Sequence, residues 1–142
     1  MNLVIDASVA VSWHISRNDP SEAGIAQQTI HAVMSKSASV PYLWFTEVAN
    51  ALLTAERKQV SDPRSSARFL ADLDALPIII DNRALVALRK DILQLGRLHN
   101  LSAYDATYLE LALHANASLA TFDRKLADAF RKAGGQVFGD KP

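Results

Sequence analysis

The sequence contains no cysteine, which excludes disulfide bonds, catalytic thiolates and zinc sites with cysteine ligands. It has no excess of charge of either sign, because 15 Lys and Arg residues balance 15 Asp and Glu residues. No apolar run approaches the roughly 20 residues that a membrane-spanning helix needs, and no basic stretch precedes an apolar one at the N-terminus. We therefore expect a soluble, cytoplasmic protein without a membrane partner.

The balanced charge counts mildly against nucleic-acid binding, which usually draws on an excess of Lys and Arg. A hydrolase remains compatible with it, because a central cluster of carboxylates would cancel a local basic rim in the total. What the chain does have is 142 residues, 49% of them hydrophobic, which is enough for a packed core. Residues 1–142 are expected to form a single domain.

Short apolar runs alternate with helical patterns along most of the chain. The predicted helices cover residues 7–13, 20–35, 44–58, 62–73, 83–98, 102–114 and 123–132. The predicted strands cover residues 2–5, 39–41, 77–81, 118–121 and a last short strand at 136–138. This alternation indicates an α/β domain with a mainly parallel sheet.

Most of the acidic residues need no functional explanation. Asp62 precedes Pro63 and fits a helix N-cap. Several others fit solvated helix faces: Glu22, Glu56, Asp72, Asp91, Glu110 and Asp128. The informative acids lie among apolar residues, where an ionised carboxylate is costly unless it is paired or bound to a cation.

Three acids closely follow predicted strands, at the end where parallel sheets place their chemistry. These are Asp6, Asp81 and Asp123. Asp6 can be either a cap of the next helix or a functional group, and Asp123 can equally cap the last helix. By strand position alone, Asp81 is as good a candidate as Asp6.

Two further acids lie in helical stretches. Glu47 is three residues before Asn50, so the two share a helix face and can point into one cleft, although Glu47 can also be a partly exposed surface residue. Asp105 has capping-box spacing from Ser102, which is a structural alternative to a functional role.

As a set, these carboxylates are the ligand type for a hard, oxygen-preferring cation, since the chain has no cysteine and no clustered histidine. Such a site can activate water for attack on a phosphodiester.

Four segments resemble the PIN-domain family, and more narrowly the VapC-like ribonuclease toxins of prokaryotic toxin–antitoxin pairs. They are LVIDASV at residues 3–9, PYLWFTEVANAL at 41–52, LSAYDATYLELA at 101–112 and LATFD at 119–123. Each segment alone is a weak signal. Their order and separation over nearly the whole chain make the resemblance specific.

The resemblance implies a three-layer α/β/α sandwich around a mainly parallel sheet, with four acids meeting in one cleft. Asp6, Glu47 and Asp105 would hold Mg²⁺ or Mn²⁺, and Asp123 would bind it directly or through water. Metal-activated water would then cleave single-stranded RNA, which makes the chain an endoribonuclease.

Other side chains gain an expected role from the same resemblance. Ser8, Asn50 and Thr121 would orient ligands or water. Asp81 matches no ligand of the family and would follow an outer strand.

The partners implied by the resemblance are an RNA substrate, a small cognate antitoxin protein and a second copy of the chain, bound through the helices at 44–58 and 62–73. The alternative is a non-catalytic PIN-like module that binds RNA or a protein. The sequence does not rank the basic residues that would contact RNA: Arg17, Arg57, Arg97, His99 and Arg124.

Overall fold

The computed structural model describes residues 2–141. Within that range, four short strands form one sheet in the order β3-β2-β1-β4, and every pairing is parallel. The strands are β1 (Leu3–Ile5), β2 (Ala38–Val40), β3 (Ile78–Ile80) and β4 (Ser118–Ala120). The predicted parallel sheet is confirmed, and β3 is an outer strand, as expected.

Seven helices in residues 2–141 flank this sheet and complete a three-layer α/β/α fold. They are α1 (Ala7–Ser12), α2 (Pro20–Lys36), α3 (Leu43–Arg57), α4 (Pro63–Asp74), α5 (Leu85–His99), α6 (Ala103–His114) and α7 (Arg124–Lys132). None of the helices in this part of the chain is both long and apolar enough to cross a membrane.

Side-chain caps determine where several helices begin. Asp62 accepts a hydrogen bond from the Ser65 N–H at the start of α4, and the Ser102 hydroxyl accepts one from the Asp105 N–H at the start of α6. Each bond satisfies a backbone donor that has no partner within its helix. The predicted starts of these two helices are therefore confirmed.

The core lies on both faces of β1 and β4, whose residues are all buried. On α6, the consecutive residues 108–112 are all buried, so buried side chains occur around most of the helix and it shows little amphipathic patterning. Strands that are covered on both faces have continuous apolar sequences. That is the pattern of Leu3–Ile5.

The predicted last strand, at residues 136–138, is wrong. Val137 forms one isolated parallel bridge with Leu119, and the chain turns at once through Phe138 and Gly139. Gly139 has a φ of +94°, a backbone conformation that strands do not adopt. The turn therefore ends the pairing after a single bridge.

The prediction that Glu110 lies on a solvated face is also wrong. Glu110 is 8% exposed, and its two carboxylate oxygens accept hydrogen bonds from Arg83 at 2.6 and 3.0 Å. Arg83 also forms an ion pair of 2.9 Å with Asp81. Although burial favours the neutral acid, the bonds from Arg83 lower the pKa of Asp81. Asp81 is thus committed to an ion-pair network beside the outer strand.

Replacement of Leu109 by alanine tests the core. Leu109 is fully buried, so Leu109→Ala should lower the free energy of unfolding by about 2–5 kcal/mol, through lost burial and the cavity left behind. Leu98→Ala is the matched control, because Leu98 is 75% exposed on α5 and should change stability by less than about 0.5 kcal/mol. Urea unfolding measures both, and similar losses would contradict this description of the core.

Candidate active site

The pairing of β1 with β4 brings two of the predicted site residues to one edge of the sheet. Ile5 is in register with Ala120, and the Asp6 N–H donates to the Ala120 carbonyl at 2.9 Å. Asp6 therefore lies beside the loop of residues 121–123 that follows β4. This is the carboxyl end of the strands, where open α/β sheets place their ligands.

Two acids from helices meet Asp6 and Asp123 across a cleft of about 610 Å³. Glu47 projects from α3 and Asp105 from the first turn of α6. Ser8 and Asn50 line the same cleft, so the residues that share a face of α3 do point to one place. Asp81 is not among the residues that line it.

Asp6 is 7% exposed and is held by hydroxyl groups. Its Oδ2 atom accepts hydrogen bonds from Thr121 at 2.6 Å and from Ser8 at 3.1 Å. Although it stands at the N-cap of α1, its side chain makes no capping hydrogen bond there. Burial raises the pKa of Asp6, and the charge of Asp123 adds to that rise while the two hydroxyls oppose it.

The same hydroxyls fix the loop after β4. Ser8 Oγ accepts from the Phe122 N–H at 3.1 Å, and Thr121 Oγ1 accepts from the Asp123 N–H at 3.0 Å. Ser8 and Thr121 therefore each connect the Asp6 carboxylate to the backbone of residues 121–123. These two side chains set the position of one acid relative to the other.

Glu47 has a partner that the sequence did not reveal. The Tyr108 hydroxyl donates to Glu47 Oε1 at 2.6 Å, and Tyr108 is fully buried. Burial raises the pKa of Glu47; the hydrogen bond from Tyr108 opposes this rise, and the charges of Asp6 and Asp105 add to it. The available signal was a tyrosine in a buried apolar stretch, since a buried phenol needs a hydrogen-bond acceptor.

Asp105 and Asp123 combine structural and cleft positions. Asp123 Oδ1 accepts from the Leu126 N–H at 2.9 Å and so caps α7, while the residue also lines the cleft. Burial, followed by the charges of Asp123 and Asp6, raises the pKa of Asp105 to about 6. For both acids the capping position and the cleft position are therefore compatible.

These side chains have the chemistry of a divalent-cation site, although they do not converge on one point. Carboxylate, hydroxyl and amide oxygens are the ligands that hard cations prefer. As placed, no three Asp, Glu or His side chains in residues 2–141 are close enough together to hold a metal ion. To bind an ion, Asp6, Glu47 and Asp123 would have to change their hydrogen bonds within the protein. The charge of the ion would then reduce the repulsion between the acids.

Comparisons with known proteins identify the family and the fold. A PIN-domain family model matches residues 3–132. The chain is 36% identical over 127 residues to a protein named Ribonuclease VapC1 from Mycobacterium tuberculosis, which covers 89% of each chain. It shares its fold with the crystal structure of PAE2754 from Pyrobaculum aerophilum, with a TM-score of 0.68, 21% identity and coverage of 96% and 83% of the two chains.

A toxin–antitoxin complex from Klebsiella pneumoniae has the same fold, with a TM-score of 0.66, 17% identity and full coverage of both chains.

The raised pKa of Asp105 predicts how stability depends on pH without metal. Because the pKa of Asp105 is about 6 in the folded chain and 3.8 for an unperturbed aspartate, the folded chain binds more protons between these pH values. The stability that this group contributes is present below pH 4 and is lost as the pH rises through 6. Asparagine cannot ionise, so the free energy of unfolding of Asp105→Asn should rise by about 1 kcal/mol relative to that of the wild type between pH 4 and 7. This figure is smaller than the pKa shift alone would give, because the carboxylate is partly solvated.

Urea unfolding at several pH values in the presence of a chelator measures this difference. Asp91→Asn, at an exposed position of α5, is the matched control and should show no such trend. A difference between Asp105→Asn and wild type that stays constant with pH would contradict the electrostatic description of the cleft.

Proposed function

The chain belongs to the PIN-domain family, and we propose that it is an endoribonuclease that requires Mg²⁺ or Mn²⁺ and acts as the toxin of a toxin–antitoxin pair. The observation that carries the proposal is the cleft in which four acids meet: Asp6, Glu47, Asp105 and Asp123. The similarity to a protein named Ribonuclease VapC1 over 89% of the chain supports RNA as the substrate.

We assign the metal-ligand role to Asp6, Glu47 and Asp105, with Asp123 as a direct or water-mediated ligand. A divalent cation supplies Lewis-acid chemistry and makes water nucleophilic at neutral pH. Around this group, Tyr108 positions Glu47 through its 2.6 Å hydrogen bond.

Three polar side chains complete the proposed machinery. Ser8 and Thr121 hold the Asp6 carboxylate in place. Asn50 faces the same cleft, where its amide can orient a water molecule or a phosphate oxygen.

Electrostatic repulsion supports the proposed need for a cation. Burial and neighbouring charge raise the pKa values of Asp6, Glu47 and Asp105 together. In such a cluster each carboxylate makes ionisation of the others less favourable, and together they repel the phosphates of RNA. A bound divalent cation would remove both obstacles at once.

We propose two protein partners. The structural similarity to a toxin–antitoxin complex from Klebsiella pneumoniae supports a small antitoxin that inhibits the chain. Exposed apolar side chains on α3, α4 and β3 support a homodimer, because exposed apolar clusters are typical of protein interfaces. They include Phe45 at 42%, Leu53 at 48%, Leu70 at 43%, Ile79 at 56% and Ile80 at 40% exposure.

Cleavage of a single-stranded RNA oligonucleotide tests the proposed activity. The wild type should cleave it with Mg²⁺ or Mn²⁺ and not with a chelator. Asp6→Asn should lower the rate by about 100-fold, because it removes a negative charge that would hold the cation. Asp91→Asn makes the same chemical change at an exposed position of α5 and should cleave like the wild type. Equal cleavage by Asp6→Asn would reject the assignment, and inactive wild type that still binds RNA would indicate a non-catalytic module.

Thermal unfolding tests the metal site without measuring activity. An ion at ten times its Kd stabilises the folded chain by about 1.4 kcal/mol, which corresponds to a rise in Tm of about 4 °C for a chain of this size. Asp6→Asn and Asp105→Asn should lose most of this rise, whereas Asp91→Asn should keep it. Sodium chloride at matched ionic strength controls for screening, and an equal rise in all the variants would count against the site.

A further inference from the structure

Arg17 is the only positively charged residue among the described residues that line the carboxylate cleft. It lies in the connection between α1 and α2, on the rim near Ser8 and Asp123. The sequence offered five basic candidates for RNA contact without ranking them. The other four candidates are not among the residues that line this cleft: Arg57, Arg97, His99 and Arg124.

Arg17 also marks the boundary between two grooves. A second groove, of about 450 Å³, runs beside the cleft and shares Ser8, Val11 and Arg17 with it. An extended polymer that enters the cleft can therefore continue past Arg17 along the surface. A small substrate confined to the cleft would not need this second groove.

Two contacts hold the Arg17 guanidinium in a defined orientation. Its Nη2 atom forms an ion pair of 3.0 Å with Glu22, and its central carbon lies 4.7 Å from the centre of the Phe122 ring. The Phe122 N–H donates to Ser8 Oγ, which in turn bonds the Asp6 carboxylate. Arg17 is thus positioned against the same loop that carries Asp123.

The guanidinium keeps donors available for a ligand. Among the hydrogen bonds of residues 2–141, Arg17 uses only Nη2, and its side chain is 37% exposed. Arginine presents five N–H donors in a planar fork that matches two phosphate oxygens. The contact with the Phe122 ring and the ion pair with Glu22 restrict the side chain of Arg17, so less freedom is lost when a phosphate binds.

Phosphate binding at Arg17 would counteract the repulsion between the cleft and RNA. The four carboxylates repel the RNA backbone, and the chain has no net positive charge to offset this repulsion. A cation on the rim attracts the strand locally, where a phosphate would lie next to the acids.

We propose that Arg17 binds an RNA phosphate at the boundary of the two grooves, donating to its non-bridging oxygens while Glu22 and Phe122 hold the guanidinium in place. The choice of RNA rests on the proposed function. Arg17 thereby positions the strand for cleavage and sets the path by which it leaves the cleft.

The competing interpretation is that Arg17 only braces the connection between α1 and α2. The two interpretations differ at Glu22. If Arg17 braces the fold, Glu22→Gln removes the brace and should resemble Arg17→Ala. If Arg17 binds phosphate, Glu22→Gln keeps an amide oxygen that can accept from the guanidinium and removes the negative charge that competes with phosphate, so RNA binding should be kept or strengthened.

Binding of a fluorescent single-stranded RNA oligonucleotide tests the proposal, with every variant placed in an Asp6→Asn background so that no RNA is cut. Arg17→Ala should weaken binding about tenfold, as expected for a lost charged hydrogen bond. It should also make the plot of the logarithm of the association constant against the logarithm of salt concentration less steep by about 0.7, because one phosphate contact is lost. The RNA affinity of Arg17→Lys should lie between those of the wild-type residue and Arg17→Ala, since lysine keeps the charge but lacks the planar fork of donors.

Arg57→Ala is the matched control, because Arg57 is an exposed arginine of α3 outside the cleft. The proposal is overturned if Arg17→Ala and Arg57→Ala bind alike, or if Glu22→Gln weakens binding as much as Arg17→Ala. Should Arg17→Ala fail to fold, Arg17→Lys and Glu22→Gln still decide between the two interpretations. Failure of the wild type to cleave RNA would reject the proposed activity. The binding assay does not depend on cleavage, so it tests the role of Arg17 independently of that outcome.

Discussion

The parallel pairing of β1 with β4 is the contact on which the proposed site depends. It places Asp6 one residue beyond a strand end and puts residues 121–123 directly beside it. The hydroxyls of Ser8 and Thr121 then bridge the two segments, so their relative position does not depend on long, flexible side chains. Shifting the register by one residue would turn every side chain of β4 to the opposite face of the sheet and dismantle this arrangement.

Holding acids so close together opposes folding, and the surrounding structure offsets that cost by different means at each position. Asp6 is buried and receives two hydroxyl donors, while Glu47 receives the phenol of Tyr108. Asp123 gains a backbone donor by capping α7. Each carboxylate is therefore partly compensated without a cation, which explains how a chain with this cleft can fold before it binds a metal.

Local sequence signals predicted the parts of the fold that local physics controls. Alternating apolar runs and caps such as Asp62 and Ser102 gave the order and type of the elements in residues 2–141, apart from the bridge at Val137. These local signals could not predict contacts between segments that are distant in the sequence. The pairing of Glu110 with Arg83 and that of Tyr108 with Glu47 join residues 27 and 61 positions apart, so nothing near either residue signals its partner. The family resemblance, rather than periodicity, distinguished Asp81 from Asp6.

The balanced net charge shows why a total is a poor guide to binding. Charges on the surface of a protein are screened beyond about 8 Å at physiological salt, so a ligand in the cleft responds to the groups that line it. The cleft lining contains four acids and one arginine. A proposed divalent cation would offset two of the four negative charges, and Arg17 would add a positive charge at the rim. On this view, metal and Arg17 act on RNA jointly: the cation reduces the repulsion from the carboxylates, and Arg17 attracts a phosphate beside them.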